Sequence, residues 1–340
     1  MSVKVAIVGV TGYAGGELAR LLLRHPEARL VAAVARSHQG EPLRDVQPHL
    51  HGAPDSLRIG SDVGDAEVVF TALPAGEAAK QAPAWLKEGR AIIDIGSDFR
   101  LREAKDYERW YHYAHPAPEL LKEAVYGVTE LNRAKLRGAR VVANPGCYPI
   151  ATLLALAPAL AAGLIADDLI VDAKSGVSGA GHTVDEAFLY GTIDESVRAY
   201  GVPGHRHTPE IAQQAEVIGG RAPRLTFTPH LVPMTRGLLA ACYASLKDGV
   251  TAAQVAEAYR ARYTEEPFVR ITASYPATKA TLGSNWCLVH PVVDEANRRL
   301  VAFGAIDNLV KGAAGSAVQN LNAMRGLPET MGLESLPLWP

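Results

Sequence analysis

The 340 residues are 48% hydrophobic, 21% charged and 6% aromatic, with a formal net charge of −2. That balance creates no field to draw in nucleic acid or a membrane surface, so an anionic ligand must be caught by local charge and backbone donors. The length exceeds what one hydrophobic core usually supports and predicts about two domains.

The N-terminus runs from Met1 into the strand-like VKVAIVGV, Val3 to Val10, without the pattern of a targeting leader. Helical spacing of Leu18, Leu21 and Leu22 follows, and RLVAAVA, Arg29 to Ala35, is the next apolar run. AEVVFTALP from Ala66, AIIDIGS from Ala91 and RVVANPG from Arg140 continue the series. Apolar strands alternating with helical segments predict an α/β fold, a doubly wound parallel sheet of the Rossmann type over 1–146. A helix is expected over about Tyr148 to Ala162; its apolar stretch, Leu153 to Ile165, is too short to span a bilayer and holds Pro158 and Gly163. Beyond it come a polar stretch rich in Gly, His and Thr and several strand-like runs, with TAAQVAEAYRARY, Thr251 to Tyr263, as the clear helix. The expectation for 147–307 is an α+β domain with a mostly antiparallel or mixed sheet. A last helix over about 308–325 is expected to pack back on the first domain.

Gly9, Gly12 and Gly15 stand in GVTGYAG directly after a strand and at the opening of a helix. The first glycine permits a tight turn, the second lets backbone approach a pyrophosphate, and the third lets helix and strand pack closely. An NAD site usually places a carboxylate about 20 residues further on. Here the second strand ends in Ala35-Arg36-Ser37-His38, and Arg36 and Ser37 suit a ribose 2′-phosphate by charge and hydroxyl. NADP is the expected cofactor.

The three cysteines are too few and scattered for a disulfide framework or a C-x-x-C metal site, which favours a reducing, cytoplasmic setting. Cys242 and Cys287 fall inside strand-like runs and read as buried small hydrophobes. Cys147, in Asn144-Pro145-Gly146-Cys147-Tyr148-Pro149, falls where a strand gives way to a helix. A helix N-terminus favours thiolate, and its amides suit an oxyanion. Reduction through a thioester also needs a proton donor near neutral pH, and GHRHTPEI is the suggestive histidine cluster. His205 or His207 could serve, with Glu210 able to orient one of them and Arg206 able to attract an anion. A metal reading of His-x-His lacks a third ligand at recognisable spacing.

GVTGYAG, DIGSDFRL, ANPGCYPIAT, KSGVSGAG, GHRHTPEI, VPMTRG and AIDNLVKGAAGSAVQNLN, in this order, resemble the signature segments of the N-acetyl-gamma-glutamyl-phosphate reductase family. The resemblance implies a Rossmann domain plus a catalytic domain of the glyceraldehyde-3-phosphate and aspartate-semialdehyde dehydrogenase type. It implies reduction of N-acetylglutamyl 5-phosphate by NADPH to N-acetylglutamate 5-semialdehyde and phosphate, in arginine biosynthesis. On matching positions it makes Cys147 the nucleophile and His205 the acid/base, supported by Glu210. Gly9, Thr11, Gly12, Tyr13, Gly15, Arg36 and Ser37 would hold cofactor phosphates and ribose, Ser178 and Gly179 would approach the nicotinamide, and Asn308 would contact the cofactor.

Such a substrate carries a phosphate and a carboxylate. Arg100, beyond a strand end that faces the expected crevice, is the candidate for the phosphate, and Arg206 or Arg236 for the carboxylate. By resemblance a homodimer or homotetramer is expected, with no nucleic-acid or membrane partner. The rival reading is a sibling reductase of carrier-bound aminoadipyl phosphate in lysine biosynthesis; from another class, a non-catalytic NADP-sensing regulator would predict a lost nucleophile or base, and both are present.

Overall fold

The computed structural model describes residues 2–182 and 184–339. In chain order its elements are β1 (Val3–Val8), α1 (Tyr13–Leu22), β2 (Ala28–Val34), α2 (Leu43–Val46), β3 (Ile59–Gly60), β4 (Val68–Thr71), α3 (Glu77–Lys87), β5 (Ala91–Asp94), α4 (Ala104–Tyr111), β6 (Val125–Tyr126), α5 (Thr129–Leu136) and β7 (Val141–Ala143). There follow α6 (Cys147–Ala161), β8 (Ile165–Ser175), α7 (Tyr190–Ile193), β9 (Arg198–Ala199), α8 (His207–Gly219), β10 (Arg224–Leu231), β11 (Leu238–Leu246), α9 (Ala252–Tyr263), β12 (Val269–Ile271), β13 (Cys287–Asp294), β14 (Arg299–Ile306) and α10 (Gly315–Arg325). Two compact units result: Met1–Gly146 with Ala313–Ser335, and Cys147–Gly312 with Leu336–Pro340. Among the described residues no helix is long and apolar enough to cross a membrane.

The first unit is built on a seven-stranded sheet of order β3-β2-β1-β4-β5-β7-β6, and every pairing in it is parallel. Its central strands are apolar without alternation because both faces are covered: Val5, Ala6, Ile7, Val69, Phe70, Ile92 and Ile93 are inaccessible to solvent. Strand order reverses between β1 and β4, and ligands of such sheets bind outside the strand C-termini at that point. The Gly9 loop leaves β1 there. Leu18, Leu21 and Leu22 of α1 are buried, as their spacing predicts.

The second unit carries a mixed seven-stranded sheet of order β12-β13-β14-β11-β8-β10-β9. β8 pairs parallel with β10 and β12 with β13, and the other pairings are antiparallel. α6 packs against α8, α9, β11 and β14. It is accordingly apolar all round, with residues 148–159 buried.

Two elements differ from the sequence expectation. The GHRHTPEI segment opens a regular helix, α8, that runs to Gly219 and closes on Gly220 at φ 72°. Its apolar face is narrow, Ile211 and Ala215 with buried Glu210 and Gln214, so periodicity is weak there, while Pro209 is harmless in a first turn. The last helix begins at Gly315, not near Asn308. Val310–Ala314 form a wide π-type turn first, in which the Gly312 N–H donates to the Asp307 carbonyl at 3.0 Å and the Asp307 carboxylate holds the Leu309 and Val310 N–H groups.

Candidate active site

Each glycine of the first loop has a separate physical reason. Gly9 sits at φ +95°, and a Cβ there would lie 2.3 Å from the Ala72 carbonyl oxygen beyond β4. A Cβ on Gly15 would lie 2.2 Å from the Gly9 oxygen and 2.8 Å from the Val10 Cα, so helix and strand meet there without a side chain. Gly12 differs: a Cβ would meet only the Gly9 oxygen, at 3.6 Å. Nothing internal requires glycine at position 12, and the space it leaves lies at the N-terminus of α1, where no side chain caps the helix. That is the cradle an anionic pyrophosphate fits. Thr11 and Tyr13 flank it, Tyr13 exposed.

Behind the loop, buried Gln47 donates through Nε2 to the Val10 carbonyl at 2.9 Å and reaches the Gly12 carbonyl at 3.4 Å. It thereby turns loop carbonyls inward. No sequence motif marks Gln47, because its partners are more than thirty residues away. Arg36 and Ser37 lie exposed just past β2. The Arg36 guanidinium, 90% exposed, pairs with Glu77 at the start of α3.

Arg100 is buried. Its Nε donates to the Asn144 carbonyl at 2.9 Å and its Nη2 to the Ile95 carbonyl at 2.8 Å. Two of its donors are therefore spent on main chain at the ends of β5 and β7, where the sequence reading gave Arg100 a substrate phosphate. Asn144 is fully buried and donates from Nδ2 to the Ala313 carbonyl at 3.0 Å. The Asn320 amide of α10 donates to Asn144 Oδ1 and to the Gly127 carbonyl, each at 2.9 Å. The segment leading to Cys147 is thus fixed from three sides.

Cys147 is the first residue of α6 and partly exposed, whereas Cys242 and Cys287 are buried in β11 and β13. Burial pushes the Cys242 thiol well up; the α6 N-terminus, with no acidic residue in its first turn, favours thiolate at Cys147. Gly312, unmarked in the sequence reading, approaches closely: a Cβ on it would lie 2.8 Å from the Cys147 Cβ.

His205 ends the exposed segment 201–204. Its Nδ1 accepts the His207 backbone N–H at 3.0 Å, which places the neutral ring's hydrogen on Nε2. Tyr148, Tyr200, His207 and Phe227 surround the ring edge-on, with centroids 4.9 to 5.8 Å away. Burial there, with the Arg206 charge adding to it, pushes the imidazole down to about 4. Gly201, at φ +65°, is another close approach, since a Cβ would lie 3.2 Å from the His205 ring. Glu210 is fully buried in the first turn of α8. With Nδ1 taken by a main-chain donor, Nε2–H is the position at which a carboxylate could hold this ring.

Ser178, Asn308 and Gly237 form one knot. Asn308 donates from Nδ2 to Ser178 Oγ at 2.9 Å and accepts the Gly237 N–H on Oδ1 at 2.8 Å. Gly179 stands beside it, 3.8 Å from the Asn308 amide were it to carry a Cβ. Next to the knot, half-buried Arg236 lies 3.5 Å from the buried Asp307 carboxylate, which also accepts the Gly283 N–H at 2.8 Å. Arg206 precedes α8 and is exposed. The structure therefore gathers Cys147, His205, Ser178, Asn308 and Arg236 in the second unit, and the glycine loop, Arg36, Ser37 and Arg100 in the first.

Comparison with known proteins agrees with this division. Residues 4–139 match the semialdehyde dehydrogenase NAD binding domain and residues 147–308 the semialdehyde dehydrogenase dimerisation domain. Among solved structures, aspartate semialdehyde dehydrogenase II of Vibrio cholerae shares the fold at TM-score 0.72 and 20% identity, over 95% of this chain and 98% of that one. The Candida albicans aspartate semialdehyde dehydrogenase with NADP gives 0.69 and 15%, over 95% and 98%. Curated relatives named N-acetyl-gamma-glutamyl-phosphate reductase are much nearer in sequence. The protein from Dehalococcoides mccartyi is 50% identical over 99% of both chains. That from Symbiobacterium thermophilum is 49% identical over the whole of both, and that from Heliobacterium modesticaldum 47% over 99% and 100%. With about half its residues shared along the full length of such relatives, the chain belongs to the N-acetyl-gamma-glutamyl-phosphate reductase family.

Proposed function

We propose that the protein reduces N-acetylglutamyl 5-phosphate to N-acetylglutamate 5-semialdehyde, with release of phosphate, through a thioester on Cys147 and with NADPH as reductant. One observation carries the reading: a cysteine as first residue of a buried helix, followed by a tyrosine whose ring packs on a histidine bearing its hydrogen on Nε2.

The Cys147 thiolate, favoured by the α6 N-terminus, attacks the acyl carbon, the sulfur–carbon bond forms and phosphate leaves. Backbone amides at the start of α6 stabilise the oxyanion of that addition. When bound, the cofactor supplies a hydride to the thioester carbon. His205, neutral at working pH, hydrogen-bonds through Nε2–H to the oxygen as it gains charge, and collapse of the tetrahedral adduct re-forms the carbonyl as the carbon–sulfur bond breaks and Cys147 returns to thiolate. The Gly12 cradle and α1 N-terminus hold the pyrophosphate, and Arg36 with Ser37 the 2′-phosphate, which is the basis for NADPH over NADH. Gly9 and Gly15 shape that loop; Thr11 and Tyr13 line it, and Ser178, Gly179 and Asn308 serve the nicotinamide end. Arg236, aimed by Asp307, is our choice for the substrate carboxylate, with Arg206 for the phosphate, since Arg100 holds the strand end before Cys147. We further propose a homodimer or homotetramer assembled through the second unit, whose matching family domain is described as a dimerisation domain.

The test is phosphate-dependent reduction of NADP with N-acetylglutamate semialdehyde, run beside an aminoadipate semialdehyde analogue, and mass spectrometry of the acyl-enzyme. The acetylglutamyl compound should be turned over and acyl mass should appear on the peptide holding Cys147. An acyl group on Cys242 or Cys287, or turnover confined to the aminoadipate compound, would refute the proposal.

A further inference from the structure

His205 reaches its place on a segment with few anchors of its own. Gly201, Val202, Pro203 and Gly204 are all exposed, and β9 before them is a two-residue strand at the edge of the sheet. Between β9 and this exposed run stands Tyr200. Its N–H donates to the Pro229 carbonyl at 3.1 Å, and its hydroxyl lies 3.1 Å from the hydroxyl of Tyr148, the second residue of α6. The Tyr148 hydroxyl in turn donates to the His230 carbonyl of β10 at 3.2 Å. Each phenol has one hydrogen; with that of Tyr148 on His230, the Tyr200 hydroxyl is the donor of the pair. The chain Tyr200 to Tyr148 to His230 ties the histidine-bearing segment to the helix that begins with Cys147.

Resting on the roles assigned above to Cys147 and His205, we propose that the Tyr200–Tyr148 hydroxyl pair is a latch that positions His205 over the start of the nucleophile's helix. Both rings also pack on the imidazole, Tyr200 at 5.4 Å and Tyr148 at 5.8 Å between centroids. Burial keeps the pair protonated, pushing Tyr200 up to about 12 and Tyr148 further, so the latch stays closed across the working pH range. Neither tyrosine exchanges a proton with substrate here; they are positioning residues that act through His205.

Phenylalanine at either position keeps the ring packing and removes only the hydroxyl. In the full-length protein, Tyr200→Phe and Tyr148→Phe should each speed exchange of the Tyr200 amide, which donates to the Pro229 carbonyl, by roughly five- to tenfold, the scale of one lost hydrogen bond. Each should also lower kcat about tenfold with KM within about twofold, because a hydrogen-bond donor displaced by a fraction of an ångström from the developing oxyanion loses rate before it loses binding. The double variant should be no worse than either single one, since both remove the same contact, and in a His205→Asn background neither should reduce kcat further. Unchanged exchange at the Tyr200 amide would overturn the latch whatever the activity. Additive losses in the double variant, or the same tenfold fall without His205, would overturn its action through the histidine. Full turnover in His205→Asn alone would instead remove the acid/base assignment on which the proposal rests.

Discussion

His205 and His207 are joined by a bond that decides a protonation state: the His207 backbone N–H donates to His205 Nδ1 at 3.0 Å. A second proton on that ring would have to sit on Nδ1, pointing at another donor, inside a cage of aromatic rings. Both effects oppose the imidazolium, in line with a value pushed down to about 4. The acid limb of the kcat/KM profile should therefore fall well below pH 6.5, the ordinary histidine value. Stability follows the same sign. The unfolded chain takes up a proton near 6.5 and the folded one only near 4, so His205 makes no pH-dependent difference above the first value and destabilises progressively as pH falls between the two. Urea midpoints between pH 8 and pH 4.5 should drop less in His205→Asn than in the wild type. An acid limb centred on 6.5 would show a solvated imidazole instead.

The three loop glycines should separate by phenotype. Gly9→Ala meets the Ala72 oxygen at 2.3 Å with φ at +95°, and Gly15→Ala meets the Gly9 oxygen at 2.2 Å. Each should cost roughly 3 kcal/mol or more of stability, as backbone strain and overlap in a core do. Gly12→Ala, at φ −78° with only a 3.6 Å contact, should stay within about 1 kcal/mol of wild type yet raise the KM for NADPH at least about tenfold, because its methyl enters the space left for pyrophosphate. Thermal melts and cofactor titrations distinguish the two outcomes. A Gly12→Ala protein with normal NADPH affinity would place the cofactor elsewhere.

Arg36 pairs with Glu77 at an exposed site, a contact that salt and water leave with little effect on stability. Its replacement by Ala should leave Tm unchanged and reduce the preference for NADPH over NADH by roughly ten- to a hundredfold, the range of a charge-assisted hydrogen bond to phosphate. Glu77→Gln removes the competing carboxylate and should lower the KM for NADPH at low ionic strength. If both variants keep the wild-type cofactor ratio, the 2′-phosphate is read by other groups.

What the chain displays in one dimension was legible there. The parallel sheet follows from uninterrupted apolar runs such as Val5 to Val8, and a cysteine at the head of a helix from a Pro-Gly-Cys step between a strand and a helix. What required coordinates were the partners brought in from far along the chain. Gln47 behind the glycine loop, Tyr200 beside His205 and Asn320 on Asn144 each act on a segment that gives no hint of them. Arg100 carries a feature the sequence does not display: a strand-end arginine suits an anion in sequence, and in the folded unit two of its donors are bonded to the Asn144 and Ile95 carbonyls. Glu210 pairs with the histidine by proximity in sequence and by the family resemblance; the main-chain donor of His207 at His205 Nδ1 is what the fold adds.

Gly312 offers a test of how tightly the nucleophile is held. It lies in the π-type turn after Asn308, and a Cβ on it would stand 2.8 Å from the Cys147 Cβ and 3.3 Å from its Cα. Such contacts are shorter than carbon atoms tolerate, and Cys147, as the first residue of α6, has the fewest helical bonds holding it. Gly312→Ala should therefore shift the cysteine, lowering kcat about tenfold to a hundredfold while stability falls by only about 1–3 kcal/mol, the usual cost of overpacking. Alkylation of Cys147 by iodoacetamide, followed against pH, should become slower at neutral pH as the sulfur leaves the favourable field of the helix N-terminus. A variant with normal alkylation and normal kcat would mean that the turn, not the nucleophile, gives way to the added methyl.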